Sequence, residues 1–109
     1  KLREFDHAPF GISGIETALG LCMRLVDEGV LTLAQLIEKM TKNPARILGL
    51  KKGALNVGSD ADVVVADMNK EYRVEADKFL SRGKNTPFDG WNLKGIPVIT
   101  ICKGKIYEW

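Results

Sequence analysis

Apolar residues recur every three or four positions through the first half of the chain, which predicts amphipathic helices. Ser13-Gly14-Ile15-Glu16 and Thr32-Leu33-Ala34-Gln35 both have the form of a capping box, in which side chains satisfy the free amides of a helix start. Asn43-Pro44 predicts a third, short helix, with asparagine as its cap and proline in the first turn. Gly29 and Gly49 predict the ends of the first and third helices.

From Gly53 onward the pattern changes to that of strands and turns. β-branched and aromatic residues predict strands at 61–67 and 72–74, and a final hairpin formed by 97–103 and 105–109. Lys103-Gly104 is the predicted turn of that hairpin, and the Gly, Pro and Asn content of 81–95 predicts a loop.

Helices followed by a few strands are typical of an α+β arrangement, but three or four strands leave sheet edges that need partners. The chain also begins at Lys1 inside a charged segment, without a methionine. We therefore expect that further strands, encoded before Lys1, complete the sheet.

Composition narrows the classes of function. The chain has 109 residues, of which 45% are hydrophobic, so it can form one domain or part of a larger one. The net charge of +2 is scattered, which argues against a nucleic-acid partner, and the apolar runs are too short to span a membrane. Cys22 and Cys102 lie in apolar stretches and are expected to be buried free thiols of a cytoplasmic protein.

Several motifs, in order along nearly the whole chain, resemble the C-terminal portion of the bacterial dihydroorotase family. Two segments, Asn43-Pro44-Ala45-Arg46 and Gly58-Ser59-Asp60-Ala61-Asp62, resemble motifs that hydantoinases and allantoinases share. The segments 8–18 (APFGISGIETA) and 85–90 (NTPFDG) are far more discriminating.

The resemblance implies an α/β fold, a piece of a (β/α)₈ metal-dependent hydrolase barrel together with strands of a composite β-sandwich. Residues 1–50 would be the last loop and helices of the barrel, and 51–109 the C-terminal strands of the sandwich. Such a barrel alone needs about 250 residues. The chain is thus expected to be the C-terminal fragment of a longer protein.

The implied activity is the reversible hydrolysis of (S)-dihydroorotate to N-carbamoyl-L-aspartate in pyrimidine synthesis, with zinc as the cofactor of the full-length enzyme. A homodimer and a complex with aspartate carbamoyltransferase are the implied protein partners. Two alternatives stay open. One is another cyclic-amide hydrolase, a hydantoinase or allantoinase, and the other is a non-catalytic dihydroorotase-like scaffold of aspartate carbamoyltransferase.

Asp6-His7-Ala8-Pro9 looks like the family's metal-binding aspartate motif, but Phe10 stands where the motif has a second histidine. The following residues match the segment downstream of the true motif, so we interpret Asp6 and His7 as a chance echo. A catalytic zinc needs three or more protein ligands, and the chain has one histidine. No metal ligand and no catalytic residue is therefore expected in this chain.

Phe10 and Gly11 are the expected substrate-binding residues, because the family's Phe-Gly pair contacts substrate. Backbone amides near a helix start would donate to the substrate, glycine would allow close approach, and Pro9 would fix the entry of the loop. The alternative interpretation of 9–14 is a simple turn into a capped helix. Asp60 and Asp62, which could pass for a carboxylate pair, are expected to face solvent.

Overall fold

The computed structural model describes residues 4–8 and 10–108. The elements are short 3₁₀ turns, three α-helices and three strands: Phe5–His7 and Ile15–Thr17 (3₁₀), α1 (Ala18–Asp27), α2 (Leu33–Met40), α3 (Lys42–Ile47), β1 (Val63–Arg73), Ala76–Lys78 (3₁₀), β2 (Asn92–Cys102) and β3 (Lys105–Glu108). The strands form one antiparallel sheet in the order β1-β2-β3. Within this described part of the chain, no helix has both the length and the apolar character that a membrane crossing requires.

Helix α1 starts later than the sequence predicts. The expected capping box at 13–16 is wrong, because a 3₁₀ turn at Ile15–Thr17 precedes the helix and Thr17 makes no side-chain cap. Ser13 and Glu16 instead make hydrogen bonds to residues 80–83. The predicted end is confirmed: the amide of Gly29, at a φ of 72°, donates to the Val26 carbonyl.

Helix α2 carries the predicted capping box. The Gln35 amide donates to Thr32 Oγ1 over 3.2 Å, and the Thr32 amide donates to Gln35 Oε1 over 2.8 Å. Helix α3 begins earlier than predicted, so Asn43 is a helical residue and not the cap. Pro44 still lies in the first turn, where its missing N–H costs no helical hydrogen bond.

Strand β1 is one long strand, whereas the sequence predicts two short ones with a break between them. The ladder with β2 shifts register between Asp67 and Glu71, where the Asp67 side chain accepts hydrogen bonds from the amides of Asn69 and Lys70. Such a bulge keeps the strand continuous while it locally mimics a turn. Strand β2 also begins inside the predicted 81–95 loop, at Asn92.

The final hairpin turns at Lys103-Gly104, as predicted, and both residues have positive φ, 49° and 75°. Two consecutive positive φ values are typical of the type I′ turn, whose twist matches that of the flanking strands.

Helix α1 packs on the sheet through Gly20. A Cβ at Gly20 would lie 2.5 Å from the Tyr72 hydroxyl and 3.0 Å from Leu93 Cβ, so the close approach needs a residue without a side chain. Met23 and Leu93 are nearly inaccessible beside this contact and form part of a small core.

Much of the remaining apolar surface is uncovered when the chain is considered alone. Ile47 is 80% exposed, Leu55 is 75% exposed, and strands β1 and β3 are both edges of the sheet. We expect isolated residues 1–109 to self-associate, because open edges and apolar patches of this kind favour association. Light scattering would show species heavier than 12.0 kDa; a sharp, monodisperse monomer would contradict this expectation.

Candidate functional site

Phe10 and Gly11 lie on an exposed loop ahead of α1. The Phe10 side chain is fully exposed, and no described residue lies within 4 Å of the position that a Gly11 Cβ would take. Gly11 has a φ of 69°, in the left-handed region that side chains disfavour. The backbone conformation, not crowding, is therefore what calls for glycine here. Pro9 lies outside the described residues.

Residues 80–85, here called the brace, lie far from residues 11–16 in sequence and hold them through hydrogen bonds. The Asn85 side-chain amide donates to the Gly11 carbonyl over 2.7 Å, and the Ser13 amide donates to the Asn85 carbonyl over 2.7 Å. Ser13 Oγ donates to the Gly83 carbonyl over 2.8 Å. A Cβ at Gly83 would come within 2.7 Å of that hydroxyl, so this contact also needs glycine.

Glu16 supplies the second attachment of the brace. Its Oε1 accepts from the Ser81 amide at 3.0 Å and the Ser81 hydroxyl at 2.7 Å, and its Oε2 accepts from the Leu80 amide at 3.0 Å. Burial alone would raise the pKa of the Glu16 carboxyl, but these hydrogen bonds and the charge of Lys84 outweigh it and hold the pKa below its ordinary value. The hydrogen bonds from the brace thus stabilise the ionised form of Glu16.

Because the pKa of Glu16 is lowered, the stability of the contact between Glu16 and the brace should depend on pH. Because the Glu16 pKa is lower in the folded protein, the contribution of the ionised group is complete above the ordinary glutamate pKa and is lost as pH falls through the folded value. In the full-length protein, peptides covering 78–84 should exchange hydrogen more slowly in wild type than in Glu16→Gln at neutral pH. We expect that difference to shrink in acid, after correction for intrinsic exchange; a difference that stays constant down to about pH 3 would contradict the assignment.

The loop presents backbone donors. Among residues 4–8 and 10–108, the amides of Phe10, Gly11 and Ile12 donate to no other group, whereas the Gly11 carbonyl is occupied by Asn85. The expectation that the dipole of a helix start strengthens these donors is wrong. Helix α1 begins only at Ala18, and the helix dipole acts within about one turn. The loop can therefore offer N–H groups to an oxygen acceptor without that dipole.

The two most discriminating sequence motifs meet in space. The 8–18 motif supplies the loop, and the 85–90 motif supplies Asn85, 74 positions from Gly11 in sequence. Farther along the second motif, Asp89 Oδ1 accepts from the Ala76 amide over 2.9 Å and fixes the turn before the brace. Sequence reasoning missed Asn85 and Glu16 as contacts of the loop; the only signal was that both lie in those two motifs.

Asp6 and His7 are both exposed. In the described ranges, no group of three or more His, Cys, Asp or Glu side chains is placed to hold a metal ion. The described residues therefore do not form a zinc centre by themselves, and the interpretation of Asp6-His7 as an echo stays a prediction.

Asp60 and Asp62 both form ion pairs with Lys52, and their lack of a catalytic role stays a prediction. Asp60 is exposed as expected, at 3.1 Å from the Lys52 ammonium, but the Asp62 side chain is only 30% exposed. The Lys52 hydrogen bond, with help from the Lys103 amide, lowers the pKa of Asp62. Asp62 thus joins Lys52 to the β2–β3 turn.

Cys22 and Cys102 are free thiols, as predicted. Cys22 is half-buried, but Cys102 is exposed, so the expectation that both are buried is wrong for Cys102. Cys102 is the last residue of β2.

Comparison with known proteins agrees with the fold and the motifs. The chain belongs to the amidohydrolase family, whose sequence pattern matches residues 4–107. Within that family it is 50% identical to the dihydroorotase of Syntrophus aciditrophicus and 52% identical to that of Geobacter metallireducens, in each case over 94% of this chain. The chain spans 24% of the length of each of these relatives.

Solved structures of cyclic-amide hydrolases superpose on the chain. L-hydantoinase from Arthrobacter aurescens matches with a TM-score of 0.83 and 39% identity, over 91% of this chain and 23% of that one. A D-hydantoinase matches with a TM-score of 0.84 and 30% identity, over 94% and 23%. The predicted fold class, a piece of the barrel enzyme fold of this family, is confirmed. The division into barrel residues 1–50 and sandwich residues 51–109 stays a prediction.

Proposed function

We propose that the chain is the C-terminal part of a dihydroorotase, which reversibly hydrolyses (S)-dihydroorotate to N-carbamoyl-L-aspartate. The observation that carries the proposal is 50 to 52% identity with bacterial dihydroorotases over 94% of the chain. Family membership by itself supports only the hydrolysis of a cyclic amide or a related bond.

In this proposal, Phe10 and Gly11 bind the substrate. Dihydroorotate carries a carboxylate and ring carbonyls, all of which accept hydrogen bonds, and the loop offers amides without partners among the described residues. Gly11 adds close access, because no described residue occupies the space beside its Cα. The brace keeps these donors in one arrangement, which lowers the entropic cost of binding the substrate.

In this proposal the zinc is held by residues outside this chain; among the described residues, no three candidate ligands lie together. The contribution of this chain is therefore substrate binding. We also propose a cytoplasmic location, in keeping with two free thiols. A homodimer and a complex with aspartate carbamoyltransferase stay predictions.

A second candidate function is the hydrolysis of hydantoins. It is favoured by the 39% identity and the TM-score of 0.83 shared with the Arthrobacter aurescens L-hydantoinase. The two candidates differ in substrate, since dihydroorotate has a ring carboxylate that a simple hydantoin lacks.

Substrate preference of the full-length protein tests the proposal. We expect kcat/KM for dihydroorotate to exceed that for hydantoin and for allantoin by at least about a hundredfold, because a site built to pair a polar group strongly rejects analogues that lack it. A preference for hydantoin would establish the second candidate. Turnover of none of the three would favour the non-catalytic scaffold.

A further inference from the structure

We propose that Asn85 is a positioning residue, whose side-chain amide fixes the Gly11–Ile12 peptide and thereby aims the Ile12 N–H at the substrate. This inference rests on the proposed function, since it assigns a further donor and its support to the same binding loop.

The geometry around Asn85 is specific to this peptide. Its side chain donates to the Gly11 carbonyl and its own carbonyl accepts from the Ser13 amide, both at 2.7 Å. One residue therefore holds the loop on both sides of Ile12. At 2.7 Å these bonds lie at the short end of the range for N–H···O contacts.

Fixing the carbonyl also fixes the next amide. In a planar trans peptide the C=O and the following N–H point in opposite directions. Because the Gly11 carbonyl points toward Asn85, the Ile12 N–H points away from the brace. In the described part of the chain that amide has no partner, so it is left available to an acceptor.

The other attachments of the brace act elsewhere on the loop. Ser13 Oγ and the Glu16 carboxylate hold positions 13 and 16, beyond the peptide in question. Gly11, at a φ of 69°, can adopt more backbone conformations than a residue with a side chain, so a hydrogen bond at its carbonyl restricts this part of the loop. Asn85 is the residue that makes this bond.

Steady-state kinetics of Asn85→Ala in the full-length protein tests the assignment. The variant keeps the main-chain bond to Ser13 and loses only the side-chain bond. We expect the KM for dihydroorotate to rise about threefold to tenfold with kcat within about twofold, as for the loss of binding shared by substrate and transition state. Asn85→Gln keeps the amide donor on a longer arm and should recover part of the lost affinity.

Asn69→Ala is the matched control, because Asn69 is an exposed asparagine of the β1 bulge, far in sequence from both the loop and the brace, and its amide bonds within the bulge. We expect its KM to equal that of wild type. An unchanged KM in Asn85→Ala, or a fall in kcat with KM unchanged, would overturn the inference. Equal effects of Asn85→Ala and Asn69→Ala would overturn it as well.

Hydrogen exchange separates this inference from the proposed function. Without substrate, the Ser13 amide, which donates to the Asn85 carbonyl, should exchange faster in Asn85→Ala than in wild type or in Asn69→Ala, because the loosened loop opens this bond more often. If the full-length protein turns over no cyclic amide but this difference is present, the proposed function fails while the positioning role of Asn85 stands. Identical exchange in all three proteins would refute the positioning role, whatever the substrate.

Discussion

Residues 1–109 prepared alone are expected to hydrolyse no dihydroorotate, with or without added Zn²⁺. Zinc hydrolases hold the catalytic ion with about three protein ligands, commonly histidines. The chain has one histidine, and the described residues bring no three candidate ligands together. The loop that we propose for substrate binding has no group of its own to activate water.

The measurement is the formation of N-carbamoyl-L-aspartate by purified residues 1–109, with the full-length protein as the positive control under the same conditions. Metal-dependent turnover by residues 1–109 would show that Asp6, His7 or another group in this chain takes part in catalysis. Such a result would overturn the assignment of these residues.

Gly11→Val in the full-length protein is expected to raise the KM for dihydroorotate at least about tenfold, while the protein stays folded. A side chain at a φ of 69° costs about 1–2 kcal/mol, and more for a β-branched residue, so the loop must change conformation to accept valine. About 1.4 kcal/mol corresponds to tenfold in affinity. Because no described residue lies within 4 Å of the Gly11 Cβ position, the substitution disturbs no packing in the part of the chain that the structure describes.

Gly29→Val is a matched control for backbone strain. Gly29 has a φ of 72° and also has nothing within 4 Å of the Cβ position, but it lies at the end of α1, away from the loop. We expect similar losses of thermal stability in the two variants and an increase in KM only for Gly11→Val. A Gly11→Val enzyme with the KM of wild type would remove Gly11 from the binding site.

Local sequence signals predicted most of the secondary structure. Thr32 and Gln35 form the predicted capping box, and Lys103-Gly104 forms the predicted turn, because the partners of each group lie within three or four residues. Such signals need no knowledge of the rest of the fold, and they were reliable where no distant group competed.

The capping box expected at 13–16 shows why the rest could not be predicted. Ser13 and Glu16 have the right spacing for a helix start, but both side chains make hydrogen bonds to groups of the brace, 64 to 70 positions away. Non-local hydrogen bonds override a local propensity here, and a single sequence does not show which distant segment will supply them. The continuous β1 strand has the same cause, since its pairing with β2 carries it through a turn-like bulge at Asp67.

The candidate site was predictable in part. The family resemblance indicated Phe10 and Gly11, but the physical reason given for them, donors at a helix start, is not what the structure contains. The loop is held by Asn85 and Glu16 instead, through contacts that the linear motifs did not specify. The resemblance indicated where the candidate site lies in the sequence. The hydrogen bonds that hold it were visible only in the three-dimensional structure.

A crystal structure of the full-length protein with dihydroorotate bound is the most direct test of the claim that this loop binds substrate. We expect an oxygen atom of the substrate within about 3 Å of a backbone amide of residues 10–12. A substrate seated elsewhere, with the amides of Phe10, Gly11 and Ile12 facing only water, would contradict it.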